Sequence, residues 1–405
     1  MTRFTTRVLE VCTEAEARQA LTKIGADPGG INVMIPKALH KVIKVENVAV
    51  QAAQILKQEM LSKGGEVAVH KGVIGCSIDR CDVVLMGTKR QYNLLCAKLK
   101  AQPFMLKEIG QSILKCLENY PGFHARTLDC RGYNLPLGKQ TLIMGILNIT
   151  PDSFSDGGSF YNLDRAVEHA LEMVNMGADI IDIGGESTRP TADYVTAEEE
   201  KARLLPVIQA LVEKVGVPIS VDTYKAEVAR ATLQAGAHII NDIWGLQAEA
   251  EPEMVEVIAE FDAPVIIMHN QKGTEYRDLM GDMFAFFQNS IDLALAKGVK
   301  PERIVLDPGI GFGKTTEQNL QVMARLGEFR SLGYPILLGT SRKSMIGNIL
   351  GVPVNERLEG TGATVTLGIA AGVDIVRVHD VKEIKRVCQM TDAIVRGQRG
   401  MGYDG

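Results

Sequence analysis

The sequence predicts a TIM-type (β/α)8 barrel over residues 141–400 and, ahead of it, a small α/β domain over residues 1–130. Three observations carry the prediction. Short β-branched runs alternate with longer amphipathic segments that close on glycine. The alternation repeats eight times in about 260 residues, the size and rhythm of such a barrel. Each run stays apolar until its last residues and then turns polar, and a barrel gathers those strand ends on the face where it places its chemistry.

In chain order, TEAEARQALTKIG has helical spacing, and NVAVQAAQILKQEMLSKGGEVAVHKG reads as a helix followed by a strand. CDVVLMGTKRQYNLLCAKLKAQ reads as strand then helix, and MLKEIGQSILKCLENY as a further helix. Lys37, His40, Lys41 and Lys44 are expected on the solvated face of a helix. HARTLDCRGYNLPLGKQ, with its Gly and Pro punctuation, is expected to lead into the barrel, with residues 131–140 as the linker. Residues 1–130 hold 18 Lys and Arg against 12 Asp and Glu, a net of +6, so the remainder of a chain of net charge −5 carries −11. Six of the seven cysteines also lie in this third, an odd and scattered set that fits reduced thiols better than a disulfide framework. Cys76 and Cys81 have no second Cys or His pair beside them, so packing is the better reading than metal binding.

The eight barrel runs are TLIMGILNI (141–149), DIIDIGG (179–185), PISVDT (218–223), HIINDI (238–243), PVIIMH (264–269), RIVLDPG (303–309), PILLGTS (335–341) and DIVRVHD (374–380). Their polar ends bring together Asn148, Asp182, Asp222, Asn241 with Asp242, His269 with Asn270, Asp307, Ser341-Arg342-Lys343, and Arg377 with His379. A single such residue is more often a helix cap or turn former. Eight together are not.

The loops between these ends add chemistry. Residues 148–158 form a long polar loop carrying Asp152, Phe154 and Asp156, of the kind used as an active-site lid. In Gly184–Pro190, Ser187, Thr188 and Arg189 suit an anionic group. Gly309-Ile-Gly-Phe-Gly-Lys-Thr315 matches the end of a P-loop, but Pro308 stands where that motif needs its first glycine. A loop that lets backbone approach a flat ligand is the better reading. Positive charge gathers after strands seven and eight, where barrels often bind phosphate, and Arg377 and His379, two apart on a strand, are expected to point the same way. Asp182, Asp222 and Asp307 can accept paired hydrogen bonds from an amidine-like edge, as in a guanine or pterin ring.

MGILNITPDSFSDGG (144–158), DIIDIGGESTRP (179–190), VLDPGIGFGKTTEQN (305–319), LLGTSRKSMIG (337–347), RLEGTGAT (357–364) and VRVHDV (376–381) resemble the dihydropteroate synthase family over roughly residues 131–400. The resemblance implies a transferase of folate biosynthesis. It joins a 7,8-dihydropterin bearing a hydroxymethyl diphosphate to p-aminobenzoate, releasing diphosphate and 7,8-dihydropteroate. It further implies that Asp222, Asn241, Asp307 and Lys343 grip the pterin, that Arg377 packs flat on its ring, and that Asp182 assists through the same network. Asn148, Arg377 and His379 are implied at the diphosphate, with Asn148 also a ligand of Mg2+. Thr188, Arg189, Phe312 and Ser344 are implied around p-aminobenzoate. The mechanism expected is dissociative: a stabilised diphosphate departs, a pterin methylene cation forms, and the lid with Asp152 and Asp156 keeps water from it. A homodimer through barrel helices is also implied.

The alternative on the same barrel is a pterin-dependent methyltransferase acting on methyltetrahydrofolate and a corrinoid protein. Such an enzyme keeps the pterin-facing acids but needs neither a diphosphate site nor the TPDSFSDGG, STRP and SRKS segments. For residues 1–130 a binding or assembly module and a stabilising extension stay open. The composition (46% hydrophobic, 23% charged) is that of a globular chain, and no apolar run approaches the ~18 residues of a membrane span. The N-terminus lacks the apolar core of a signal peptide. A cytoplasmic protein with neither membrane nor nucleic acid as partner is expected.

Overall fold

In the computed structural model, residues 4–149, 159–186, 194–248 and 253–397 are described. They divide into a unit built mainly on Met1–Gly122 and a unit built on Phe123–Arg330 and Tyr334–Gln398.

The first unit is α/β, as expected. Its strands β1 (His40–Ala49), β2 (Glu66–Val69) and β3 (Arg80–Thr88) form an antiparallel sheet in the order β1-β3-β2. Helices Val50–Ser62, Lys89–Leu99 and Leu106–Asn119 pack on it around Leu56, Met60, Leu85, Tyr92, Leu95 and Leu99. Thr13 with Glu16 and Thr88 with Gln91 build capping boxes that start two of the helices where the spacing put them. One expectation is corrected. Lys37 is helical, in Pro28–Ala38, but His40, Lys41 and Lys44 belong to β1. Their spacing fits a helix face, yet β1 lies at the sheet edge, where solvated lysines are tolerated and pairing with β3 outweighs local spacing.

The second unit begins with a hairpin, β4 (Arg126–Cys130) and β5 (Tyr133–Leu137). Residues 131–140 are therefore not a linker but include the turn and the second strand of that hairpin. Arg131 and Gly132 both have positive φ, 52° and 109°, as a two-residue hairpin turn requires. The hairpin's period-2 pattern directs Leu128, Cys130, Leu135 and Leu137 onto Leu142, Ile180, Ile239, Ile266, Val305, Leu337 and Ile375, near the starts of the barrel strands. It caps the N-terminal mouth. Arg303 ties it down by reaching both Asp129 (3.0 Å) and Asp262 (2.9 Å). Truncating the fully buried Leu128 to alanine is expected to cost about 2–5 kcal/mol. Urea denaturation should register that loss while ligand binding at the opposite mouth survives.

All eight expected barrel strands form: β6 (Leu142–Asn148), β7 (Ile180–Gly184), β8 (Ile219–Asp222), β9 (Ile239–Asp242), β10 (Val265–Met268), β11 (Ile304–Asp307), β12 (Leu337–Leu338) and β13 (Ile375–Val378). They are parallel, in the order β11-β10-β9-β8-β7-β6-β13-β12. A bridge between Leu306 and Ile336, with Leu306 N donating to Pro335 O at 2.9 Å, brings the two edges together. Helices follow the strands, from Ser159–Asn175 after β6 to Val381–Val395 after β13. Strands covered on both faces must be apolar along their length. Their few polar residues are consequently confined to the C-terminal mouth.

Candidate functional site

Asp182 on β7, Asp222 at the end of β8, Asn241 on β9 and Asp307 at the end of β11 are all buried at that mouth. Arg377 on β13 joins the first two. Its Nε donates to Asp182 Oδ2 at 2.6 Å, and an Nη donates to Asp222 Oδ2 at 2.7 Å. Asn241 Nδ2 donates to the same Asp182 oxygen at 3.4 Å. These bonds lie at the rim of the guanidinium plane and leave its flat face for a stacked ring.

Asp307 Oδ1 accepts from Gly309 N–H at 2.8 Å, which fixes the carboxylate against the turn that follows β11. Lys343 caps the helix Ser344–Leu350, and its Nζ donates to Ile310 O and lies 4.7 Å from the centre of the Phe312 ring. A methyl placed on Gly339 would stand 3.8 Å from Arg377 Cβ and 3.9 Å from both Asp307 Oδ2 and Lys343 Nζ. The missing side chain leaves the room into which these groups converge.

Three oxygens at this mouth, Asp182 Oδ1, Asp222 Oδ1 and Asn241 Oδ1, are buried with no hydrogen-bond partner among the described residues. Orphaned buried acceptors cost about 1–3 kcal/mol each. A ligand presenting several N–H donors from a flat edge would relieve that cost.

The charges are tuned by burial. It raises Asp222 to about 7, with the Arg377 guanidinium opposing and Asp182 adding to the rise. It raises Asp307 too, against the pull of Lys343. Lys343 falls to about 8 through burial, with Asp307 opposing and Arg377 adding to the fall. For Arg377 burial works against the charge, but Asp182 and Asp222 outweigh it and push the pKa up. An anionic Asp222 and a cationic Lys343 therefore coexist over a narrow window. We expect turnover at this mouth, measured as kcat/KM, to rise as pH passes about 7 and to fall beyond about 8. Asp222→Asn should remove the acidic limb of that profile. An unchanged limb would reject the assignment.

The other expected site residues are placed as follows. Asn148 is exposed at the end of β6, its Oδ1 3.7 Å from where a Cβ on Gly184 would stand. His379 lies one residue past β13, where Ser341 Oγ meets its Nδ1 at 3.0 Å and accepts from its N–H at 3.2 Å. Phe312 is half-buried and Ser344 exposed. Asp152, Asp156, Thr188 and Arg189 fall outside the described residues.

Two clusters escaped the sequence reading. Lys225, buried just after β8, meets Glu186 at 2.5 Å and Glu200 at 2.6 Å, with the Tyr194 and Tyr224 rings beside it. Lys314 Nζ meets His269 Nδ1 at 2.9 Å. In sequence Lys225 stands at the start of an amphipathic segment and Lys314 near the end of a glycine-rich loop, and nothing local marks the burial of either. Arg342, counted with the positive charge of this mouth, is taken up by Asp380. Among the described residues no group of three or more His, Cys, Asp or Glu is placed to hold a metal ion.

Residues 144–379 match the family described as pterin binding enzyme, more than half of the chain. A dihydropteroate synthase of Bacillus subtilis is 56% identical over 257 residues, which covers 64% of this chain and 90% of that one. A probable bifunctional folylpolyglutamate synthase/dihydropteroate synthase of Halobacterium salinarum is 41% identical over 407 residues, covering 98% of this chain and 48% of that protein, so the match takes in the N-terminal unit. Among solved structures, a Xanthomonas albilineans dihydropteroate synthase with 4-aminobenzoic acid superposes with a TM-score of 0.64 at 40% identity, over 67% of this chain and 98% of that one. The same enzyme in complex with 7,8-dihydropteroate gives a TM-score of 0.61 at 38% identity, over 66% and 98% of the two chains. With acids, amide, arginine and lysine gathered at the C-terminal mouth of a barrel so matched, the chain belongs to the pterin-binding enzyme family, among its dihydropteroate synthases.

Proposed function

We propose that the barrel condenses (7,8-dihydropterin-6-yl)methyl diphosphate with p-aminobenzoate to give 7,8-dihydropteroate and diphosphate. The observation that carries this is the row of unpartnered buried acceptors on Asp182, Asp222 and Asn241 beside the in-plane-bonded face of Arg377. A pterin offers a donor edge for the acceptors and a flat ring for the guanidinium. Asp307 extends the acceptor row, and Lys343, a donor without acceptor capacity, faces the ring carbonyl. Arg377 brings positive charge and His379 a ring nitrogen to the diphosphate end, and the charge lowers the barrier to its departure. Phe312, Ser344, Thr188 and Arg189 border the p-aminobenzoate that then attacks the methylene carbon. Asp152 and Asp156 belong to a lid that excludes water.

Mg2+ fits this site through Asn148, whose exposed amide oxygen is a hard donor beside the anionic mouth. That ion commonly takes one or two protein oxygens and completes its shell with phosphate oxygens and water. When bound it supplies positive charge to the diphosphate. We also read the protein as a cytoplasmic homodimer. All seven cysteines are free thiols, as in a reducing compartment, and Leu367, Met390 and Ile394 stand exposed on two helices that pack against each other, Leu358–Ala371 and Val381–Val395. No helix among the described residues is long and apolar enough to cross a membrane.

Incorporation of radiolabelled p-aminobenzoate tests the reading. The expected outcome is labelled pteroate formed with the dihydropterin diphosphate, abolished by a chelator and restored by Mg2+. Transfer of a methyl group from methyltetrahydrofolate to a corrinoid protein, with no pteroate formed, would overturn it.

A further inference from the structure

The glycine-rich stretch Gly309–Thr315 ends like a phosphate-binding loop in sequence, and its lysine has no role in the chemistry above. Lys314 is not aimed at a phosphate. It is only 8% exposed, and its Nζ meets His269 Nδ1 at 2.9 Å, Phe312 O at 3.0 Å and Gly309 O at 3.1 Å. An ammonium has three N–H donors and no acceptor, so these three partners saturate it. His269, 2% exposed and edge-on to Phe286, is held neutral by burial and by the neighbouring Lys314, and toward an ammonium, which has no lone pair, its Nδ1 acts as the acceptor.

The loop between the two carbonyls carries groups of the substrate site. Gly309 N–H orients Asp307, Ile310 O holds Lys343 Nζ, and the Phe312 ring lies under the same ammonium. Its backbone has little shape preference of its own: Gly309, Gly311 and Gly313 sit at φ of 62°, 88° and 55°. A side chain at Gly309 would run into the His269 carbonyl, so glycine is required there and no stiffer residue can replace it. The loop has a turn bond of its own, Phe312 N–H to Gly309 O at 3.1 Å, and two side-chain ties, Gly311 N–H to Asn319 Oδ1 and Tyr276 Oη to Gly313 O, both 2.7 Å; besides Lys314, no side chain reaches the Gly309 or Phe312 carbonyl in these bonds. A cation is also a costly way to fill space here. Burial pulls the Lys314 ammonium down to about 7, Asp307 opposing and Lys343 adding to the fall. An apolar side chain would pack without that cost.

We propose that Lys314 is a positioning residue for the synthase reaction. Backed by His269, its Nζ clamps the Gly309 and Phe312 carbonyls, a grip that takes two of its N–H donors, so that the loop presents Ile310 O to Lys343 and the Phe312 ring to the substrates. The inference rests on the assignment of Lys343 and Phe312 to the substrate site. Lys314 touches no reacting atom and acts through Lys343.

The test measures direct binding of the dihydropterin diphosphate without p-aminobenzoate, kcat/KM for pteroate synthesis and thermal unfolding, all on the full chain. Lys314→Met is expected to unfold cooperatively yet lose roughly 100-fold in pterin affinity and in kcat/KM, the scale of a small misplacement of a substrate-holding group. In a cycle with Lys343→Ala the two losses of pterin affinity should be strongly non-additive, because removing Lys343 removes the group through which Lys314 acts. A merely structural lysine would lower the unfolding temperature while affinity stayed put or the losses added, and either result overturns the proposal. Should Lys314→Met be insoluble, Lys314→Arg keeps the charge but spreads its donors in a planar fork that cannot meet three converging acceptors. That variant is expected to fold and lose part of the same two parameters; wild-type values in it overturn the proposal. If Lys343→Ala itself binds pterin and turns over normally, the substrate-site assignment falls and this inference with it. If Lys343→Ala loses both while Lys314→Met keeps both, only the inference falls.

Discussion

Asp307→Ala and Lys343→Ala are each expected to abolish measurable pteroate synthesis while the chain stays folded. Asp307 offers a buried carboxylate, oriented by Gly309 N–H at 2.8 Å, and Lys343 offers a cation oriented by Ile310 O. Both are arranged before substrate arrives, and removal of one such preorganised group typically costs about 100- to 1000-fold in rate. The fold should tolerate either change, because the apolar core of the barrel lies below them, on Ile180, Ile239, Ile266, Val305 and Ile375. Burial already raises Asp307 and lowers Lys343 against the other's charge, so the partner left behind can go neutral rather than unfold the chain. Labelled p-aminobenzoate incorporation, paired with a thermal melt, decides the matter. Near-normal turnover in either variant would remove the mouth of the barrel as the site of reaction.

Arg377→Met is the second large effect, and it should appear in stability as well as rate. The guanidinium is the cation between Asp182 and Asp222, both buried, with bonds of 2.6 and 2.7 Å. Deleting one partner of a buried charge cluster costs about 3–5 kcal/mol because the other charges stay behind uncompensated. The variant should relieve that cost by taking up a proton. Asp222 is already raised to about 7 by burial, and losing Arg377, which opposes that rise, sends it higher. A carboxyl whose folded pKa lies above its unfolded value contributes stability at low pH and loses it as pH climbs through the folded pKa. The stability deficit of Arg377→Met should therefore shrink toward pH 5 and widen toward pH 8 in urea unfolding. A deficit independent of pH would mean that the acids are not what Arg377 neutralises. Arg377→Lys should recover only part of the rate, since an ammonium cannot bond two carboxylates in plane and offer a flat face to a ring.

Much of the site is legible in the sequence for one physical reason. A parallel strand covered on both faces tolerates polar residues only at its open end, so Asp182, Asp222, Asn241, Asp307 and Arg377 stand out against otherwise apolar runs. The same contrast is missing elsewhere. His40, Lys41 and Lys44 fit both a helix face and an edge strand, and only pairing with β3 separates the two. In residues 126–137 the alternation of Leu128, Cys130, Leu135 and Leu137 is a hairpin signal, but it is short and interrupted by turn formers. What gives it purpose is the open N-terminal mouth, which no local window contains.

By itself, then, the order of residues determined the periodicities: eight strands, the helices between them, and a C-terminal face rich in acids and cations. Hydrophobic period and strand-end polarity are local properties, readable from neighbours a few positions apart. Only the tertiary structure decided which charges meet. Arg377 reaches Asp182 across 195 positions and Asp222 across 155 positions, and Lys314 turns inward to His269 across 45 positions. Closure of the barrel sets such distances, because it places remote strand ends side by side and removes the water that would otherwise separate their charges.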